Sequence, residues 1–194
     1  MDEQPPAAHA LVLAAGEARR FGAPKQLIRV RGRPLLHQVV SRAVEVAGHD
    51  VTVVLGAYAD TLAPLLRHSP VSVVVNRDWR EGIASSIRTG LAHLPPACSG
   101  VLVILADQAL VGAEDLRRLL EVWRRQPHCI VAAQYDATTG PPAIFPREDF
   151  PSLSALRGDQ GARTLLRGGS PRIVRVPVPT AAIDIDTPED LLRL

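Results

Sequence analysis

Lys25 is the only lysine among 194 residues, and it closes a passage in which an apolar run breaks into a small-residue, basic loop. The run Ala10-Leu11-Val12-Leu13 leads into Ala14, Ala15 and Gly16, then Arg19, Arg20 and, five residues on, Lys25. Residues with almost no side chain let backbone N–H groups approach a ligand closely. Fixed cations beside those donors suit a triphosphate. Two common nucleotide loops are disfavoured. Gln26 stands where G-x-x-x-x-G-K-[ST] needs a hydroxyl, and the loop holds no G-x-G-x-x-G. Taken alone, the passage also reads as a strand-to-helix connection with surface arginines.

Three further groups carry chemistry. Asp107 ends the apolar run 101–105, and ligands of open α/β sheets bind outside the carboxyl ends of strands. Asp107 is thereby delivered to the same edge as the loop at 14–25. A hard Mg²⁺ ion held by one or two carboxylates plus substrate phosphates is the usual arrangement for phosphoryl chemistry. A turn or cap aspartate is the structural alternative. Downstream of the run 71–75, Asn76 and Gly82 precede Ser85 and Ser86 in a first helical turn, where anions are favoured. A capped helix start explains the same residues, and Trp79 reads as packing. Finally, Asp184 and Asp186 alternate on one face of a strand predicted at 183–185. Like charges so placed are costly unless a cation sits among them. Thr187, Pro188, Glu189 and Asp190 read as the capped start of a closing helix.

The elements that must position these groups follow from periodicity. Continuous apolar runs at 10–13, 51–55, 71–75, 101–105 and 130–134 predict strands buried on both faces. Amphipathic helices are predicted at 34–47, 58–67, 83–93 and 112–125, the first opened by Pro34. This alternation predicts an α/β fold, a doubly wound, Rossmann-like, mostly parallel sheet. After about residue 135 the rhythm changes. Thr139-Gly140-Pro141-Pro142 predicts a turn, followed by short strands at 143–145 and 173–178 and a weak helix at 161–166. The expected organisation is a flexible stretch at 1–9 and one domain at 10–194. Within it, 10–135 binds nucleotide and a small C-terminal acceptor lobe spans 136–194.

Bulk properties exclude several classes. With 46% hydrophobic and 22% charged residues the chain is globular. A net charge of +2 argues for neither nucleic acid nor an anionic membrane as a partner. Cys98 and Cys129 lack C-x-x-C spacing, and the six histidines lack zinc-ligand spacing. No apolar run approaches a membrane span and no signal peptide is evident, so a cytoplasmic location is expected.

The order of motifs adds a resemblance. L-A-A-G-x-x-x-R-x-G-x-x-K over 13–25 resembles the signature of nucleotidyltransferases that move NMP from an NTP. Within that group the chain is similar to the molybdenum cofactor nucleotidyltransferases, and closest to the cytidylyltransferase branch. The double alanine before Gly16 and the extension Lys25-Gln26-Leu27 carry that detail. Asp107-Gln108, Asn76-x-x-Trp79-x-x-Gly82-x-x-Ser85-Ser86, Gly158-Asp159-x-Gly161-Ala162-Arg163 and Asp184-Ile185-Asp186-Thr187-Pro188-Glu189-Asp190 extend the match to Leu191. The resemblance implies a nucleotide-diphospho-sugar-transferase-like fold. It implies Mg²⁺ on Asp107 and Asp186, with Arg20 and Lys25 neutralising the departing pyrophosphate. Leu13, Ala14, Ala15, Gly16, Lys25, Asn76, Gly82, Ser85 and Ser86 would bind nucleotide, while Asp159, Arg163 and Asp184 would face the acceptor. The implied donor is CTP and the implied acceptor molybdopterin carrying molybdenum. A molybdoenzyme or its maturation chaperone would be the protein partner. Three positions depart from the pattern: Ala18 replaces Ser or Gly, Ala109 replaces Pro, and Pro141 replaces His.

Three rival readings follow. The same chemistry would run with GTP or with another phosphorylated acceptor. A nucleotide-binding partner of a molybdoenzyme would bind without turnover. An unrelated Rossmann-like binding domain would not need Lys25, Asp107 and Asp186 together.

Overall fold

The computed structural model describes residues 7–17, 21, 23–30, 32–167, 170–185 and 190. Its elements run β1 (Ala8–Ala14), β2 (Arg29–Val30), β3 (Arg33–Pro34), α1 (Leu35–Ala47), β4 (Val51–Leu55), α2 (Ala59–Leu62), β5 (Ser72–Val75) and α3 (Ile83–Leu91). They continue with β6 (Gly100–Leu105), α4 (Ala113–Arg125), β7 (Ile130–Tyr135), β8 (Thr138–Pro146), α5 (Phe150–Ala155), α6 (Arg163–Leu166) and β9 (Ile173–Pro177). Seven strands form one sheet in the order β5-β4-β1-β6-β8-β7-β9, while β2 and β3 form a separate antiparallel pair. Only β8 runs against its neighbours, so the sheet is mostly parallel as expected.

Period-2 alternation divides the apolar side chains between two cores. From β1, Ala10, Val12 and Ala14 pack with Leu36, Val40, Leu119 and Trp123 of α1 and α4. Leu11 and Leu13 face the other way, onto Ala84 and Ile87 of α3 and Leu153 of α5. Both faces are covered, which is why β1, β4 and β6 read as unbroken apolar runs. Each fully buried leucine contributes roughly 1.5–3 kcal/mol relative to an exposed one.

The structure departs from the sequence expectation in several places. β5 is an edge strand, not one buried on both faces: Val73 and Val75 are 37% and 50% exposed. The helix expected at 58–67 stops at Leu62 and continues as a 3-10 turn, Ala63–Leu66, because Pro64 lacks the amide a helix needs. Thr139-Gly140-Pro141-Pro142 lies inside β8 rather than in a turn. The pairing of β7 with β8 slips between Ala132 and Ala133, which oppose Ala143 and Gly140, and this irregularity takes up both prolines. The reversal sits instead at Asp136, whose φ is 50°. Residues 183–185 do not form a strand. Ile185 N–H donates to Asp107 O at 3.1 Å. β1 opens at Ala8, inside the stretch expected to be flexible, and β8 and β9 extend the central sheet rather than adding a layer. The closing helix predicted from Thr187 lies outside the described residues. Among the described residues no helix is long and apolar enough to cross a membrane.

Candidate functional site

A cleft of about 440 Å³ opens beyond the carboxyl ends of β1 and β6. Parallel β1–β6 pairing, with Leu13 opposite Leu105, sets Ala14 and Asp107 side by side at this edge. Ala14, Ala15, Gly16, Lys25, Gly82, Ser86 and Asp107 line it, together with Leu13. The space beside Gly16 is open, with no atom within 4 Å of where a Cβ would stand. Gly56 shapes the loop from behind. A Cβ there would lie 2.6 Å from Ala15 O and 2.8 Å from Trp79 Cβ, so only glycine lets β4 pass under Ala15.

Lys25 Nζ donates to Asp107 Oδ2 at 2.6 Å, with the two side chains 15% and 22% exposed. The other carboxylate oxygen, Asp107 Oδ1, is buried and has no hydrogen-bond partner among the described residues. A buried anionic oxygen without a donor is costly, and a cation is the simplest group to satisfy it. Among the described residues no cluster of three or more His, Cys, Asp or Glu is placed to hold a metal ion. A carboxylate oxygen suits a hard divalent cation that keeps waters and binds substrate phosphates.

Gln26 holds the loop. Its Nε2 donates to Ala14 O at 3.2 Å and Gly16 O at 3.1 Å, and the residue is 2% exposed. Asn76 and Ser85 do not line the cleft. Asn76 Nδ2 donates to Ser85 Oγ at 2.8 Å and Ser86 Oγ at 3.0 Å, while Asn76 Oδ1 accepts from Asp78 N–H at 2.9 Å. Ser85 Oγ lies within reach of Asp78 O and Gly82 O at 3.0 and 2.8 Å. This network fixes the turn that presents Gly82 and Ser86.

The acceptor-side residues separate into two places. Asp159 lines the cleft itself, packed against Gly82, and Ala84 N–H donates to Gly158 O at 3.1 Å. Arg163 and Asp184 meet instead in an adjoining slot of about 90 Å³ with Tyr135 and Pro141. Leu13, Ile83 and Leu105 line both spaces, so the slot continues the cleft. Burial pushes the Tyr135 phenol up, opposed by Arg163 and helped by Asp184 and Asp107. It stays a neutral hydroxyl at physiological pH. Arg20 and Asp186, assigned from sequence to catalysis and metal, lie outside the described residues, as does Ala18.

Besides the apolar Ile83, Leu105 and Ala106, four cleft residues were missed by sequence reasoning. Glu17, Gln26, Trp79 and Arg80 all line it, and the Arg80 guanidinium stacks 4.4 Å over the Trp79 ring centroid. For Gln26 and Trp79 the signal was their place inside the quoted motifs. Arg80 and Glu17 carried none.

Residues 10–176 match the MobA-like NTP transferase domain. The chain belongs to this family. It is therefore a nucleotidyltransferase. It is 32% identical to nicotine blue oxidoreductase of Paenarthrobacter nicotinovorans, over 100% of this chain and 98% of that protein. Identity to the purine catabolism protein PucB of Bacillus subtilis is 27%, over 92% and 91%. Rv0371c of Mycobacterium tuberculosis H37Rv, solved as a complex with manganese, superposes with a TM-score of 0.81 at 29% identity, covering 97% of each chain.

Proposed function

We propose that the chain transfers CMP from CTP to the molybdopterin form of the molybdenum cofactor and releases pyrophosphate. The observation that carries this reading is the Lys25–Asp107 pair facing a cleft whose rim is the Ala14-Ala15-Gly16 backbone. A cation for phosphates and a carboxylate for a metal stand together where the fold binds ligands. The double alanine and the Lys25-Gln26-Leu27 order favour cytosine. The reaction is read as cytoplasmic, with the product passing to a molybdoenzyme or its maturation chaperone.

Asp107 would hold Mg²⁺, with Asp186 as second ligand. When bound, the ion neutralises phosphate charge and favours attack on the α-phosphorus. Backbone N–H groups at Ala14, Ala15 and Gly16 bind the triphosphate, and Gly82 and Ser86 border the opposite wall. Lys25 leaves Asp107 and turns to the β,γ-phosphates, where Arg20 joins it against charge on the leaving group. The acceptor enters along the slot of Tyr135, Arg163 and Asp184, with Asp159 at its junction with the cleft. Its phosphate oxygen forms a bond to the α-phosphorus in line as the bond to the β-phosphate oxygen breaks. Orientation and fixed charge suffice, and no covalent nucleophile is required.

The test is pyrophosphate release with Mg²⁺, CTP and molybdenum cofactor, paired with a thermal-shift series against the four NTPs. CTP is expected to stabilise most, by about 2.7 kcal/mol at a hundred times its dissociation constant. A larger shift with GTP would move the assignment to guanylyl transfer. Binding without release would leave a nucleotide-binding partner protein.

The full-length relative named nicotine blue oxidoreductase favours a second reading, reduction of an aromatic heterocycle. Against it, the loop after β1 has no G-x-G-x-x-G to seat a nicotinamide dinucleotide. Consumption of a reduced nicotinamide without any NTP would establish that reading.

A further inference from the structure

A third cavity, about 450 Å³, lies beyond the slot. Gln134 at the end of β7, Thr138 and Thr139 at the start of β8, Arg163 and Arg167 at α6, and Arg175 on β9 line it. Arg163 belongs to both spaces, lining slot and cavity, with its guanidinium 5.9 Å from the Tyr135 ring centroid. Arg175 Nε donates to Thr139 Oγ1 at 3.2 Å, which aims that guanidinium and leaves the threonine hydroxyl proton to donate elsewhere. No carboxylate is among the described lining residues. Asp136, in the turn between β7 and β8, is not part of the wall.

Three guanidinium groups line one cavity, and each carries a planar fork of donors matched to phosphate or carboxylate. Charge-assisted bonds of that kind are about twice as strong as neutral ones. β7 is parallel to β6 in this sheet, so Gln134 brings the cavity to the same binding edge as the cleft. We infer that this cavity is an oxyanion subsite, taking a phosphate or carboxylate group. The group is either carried on the acceptor, remote from its reacting phosphate, or present as a free anion. The inference stands whether or not CMP transfer is the reaction.

Inorganic phosphate, titrated calorimetrically into the metal-free protein, tests it. Wild type and Lys25→Ala should both show saturable binding at this cavity. Arg167→Gln combined with Arg175→Gln should weaken that binding at least tenfold at an unchanged thermal midpoint. Loss of all phosphate binding in Lys25→Ala, with full binding in the arginine variant, would overturn the inference. So would absence of saturable binding in wild type. Kinetics then distinguish the sources. A raised KM for the anionic acceptor at constant KM for the NTP assigns the group to the acceptor. Unchanged kinetic constants alongside lost phosphate binding assign it to a free anion. Failure of nucleotidyl transfer itself would leave the phosphate titration untouched.

Discussion

Lys25 and Asp107 are 82 residues apart in the chain, and their side chains meet at 2.6 Å. On the proposed roles, the ammonium assigned to the triphosphate is held by the carboxylate assigned to the divalent cation. Each charge thus neutralises the other. Lys25 holds Asp107 Oδ2, and Asp107 Oδ1 is buried, so a cation on this carboxylate competes with the Lys25 ammonium. The proposed roles then couple nucleotide and metal binding, with coupling free energies typically 1–3 kcal/mol.

Lys25→Met therefore has opposite effects on the two ligands. Mn²⁺ affinity of the nucleotide-free protein should rise about tenfold, or about 1.4 kcal/mol, while triphosphate affinity falls by a similar factor. The free Mn²⁺ signal in electron paramagnetic resonance measures the first, and calorimetry the second. Unchanged Mn²⁺ affinity would mean that the pair does not gate the cation.

Asp107→Asn should lower kcat by about a hundredfold or more, the scale of losing one preorganised electrostatic group. If Asp186 shares the ion, Asp186→Asn costs as much, and the double variant costs little more than either. A capping role for Asp186 predicts near silence, because Asn caps almost as well as Asp. Calorimetric Mg²⁺ titration of each nucleotide complex separates the two. Loss of metal affinity in Asp184→Asn instead would transfer the role to Asp184.

Gly82→Ala tests the clasp between the α3 turn and the loop before α6. Gly82 has φ 111°, and a Cβ there would stand 2.5 Å from Asp159 Oδ1 and from Gly158 C and O. Backbone strain and the collision together should cost about 2 kcal/mol, lowering the thermal midpoint by roughly 4–8 °C. KM for the NTP should rise as the wall carrying Ser86 shifts. A variant as stable as wild type would remove the steric argument.

His9 gives the acid limb of stability. Its Nε2 pairs with Thr52 Oγ1 at 2.9 Å, and its buried Nδ1 has no hydrogen-bond partner among the described residues. Burial pushes the imidazole below its usual 6.5, only partly opposed by Asp50. The unfolded chain then takes a proton that the folded chain refuses. Stability is complete above the unfolded value and is lost as pH falls toward the folded one, by up to about 1.4 kcal/mol per pH unit. Urea midpoints at pH 7.5 and 5.5 should differ less in His9→Gln than in wild type. An equal difference would assign the acid limb to other groups.

Strands β1, β4 and β6 were legible because both faces are covered, which makes their sequences uniformly apolar. Their carboxyl ends then placed Ala14 and Asp107 together without further information. The edge position of β5 was not legible, since Val73 and Val75 are as apolar as the central strands and only topology exposes them. The pairing slip that carries Pro141 and Pro142 into β8 was equally hidden, because local turn chemistry lost to sheet pairing. Asn76 and Ser85 show the limit for the site. Their motif spacing marks the right turn, but a hydrogen-bond network and a ligand contact call for the same polar side chains.

The reversed direction of β8 has one more consequence. Its first residues, Thr138 to Pro141, reach the ligand edge from the opposite direction to β6 and β7, so the hairpin that delivers them is free of any crossover helix. Lengthening or recolouring that hairpin leaves β1, β4 and β6, and with them Ala14 and Asp107, in register. On the proposed roles, such an architecture separates what donates from what receives. One nucleotide-handling half can be kept while the receiving wall is rewritten for a different small molecule.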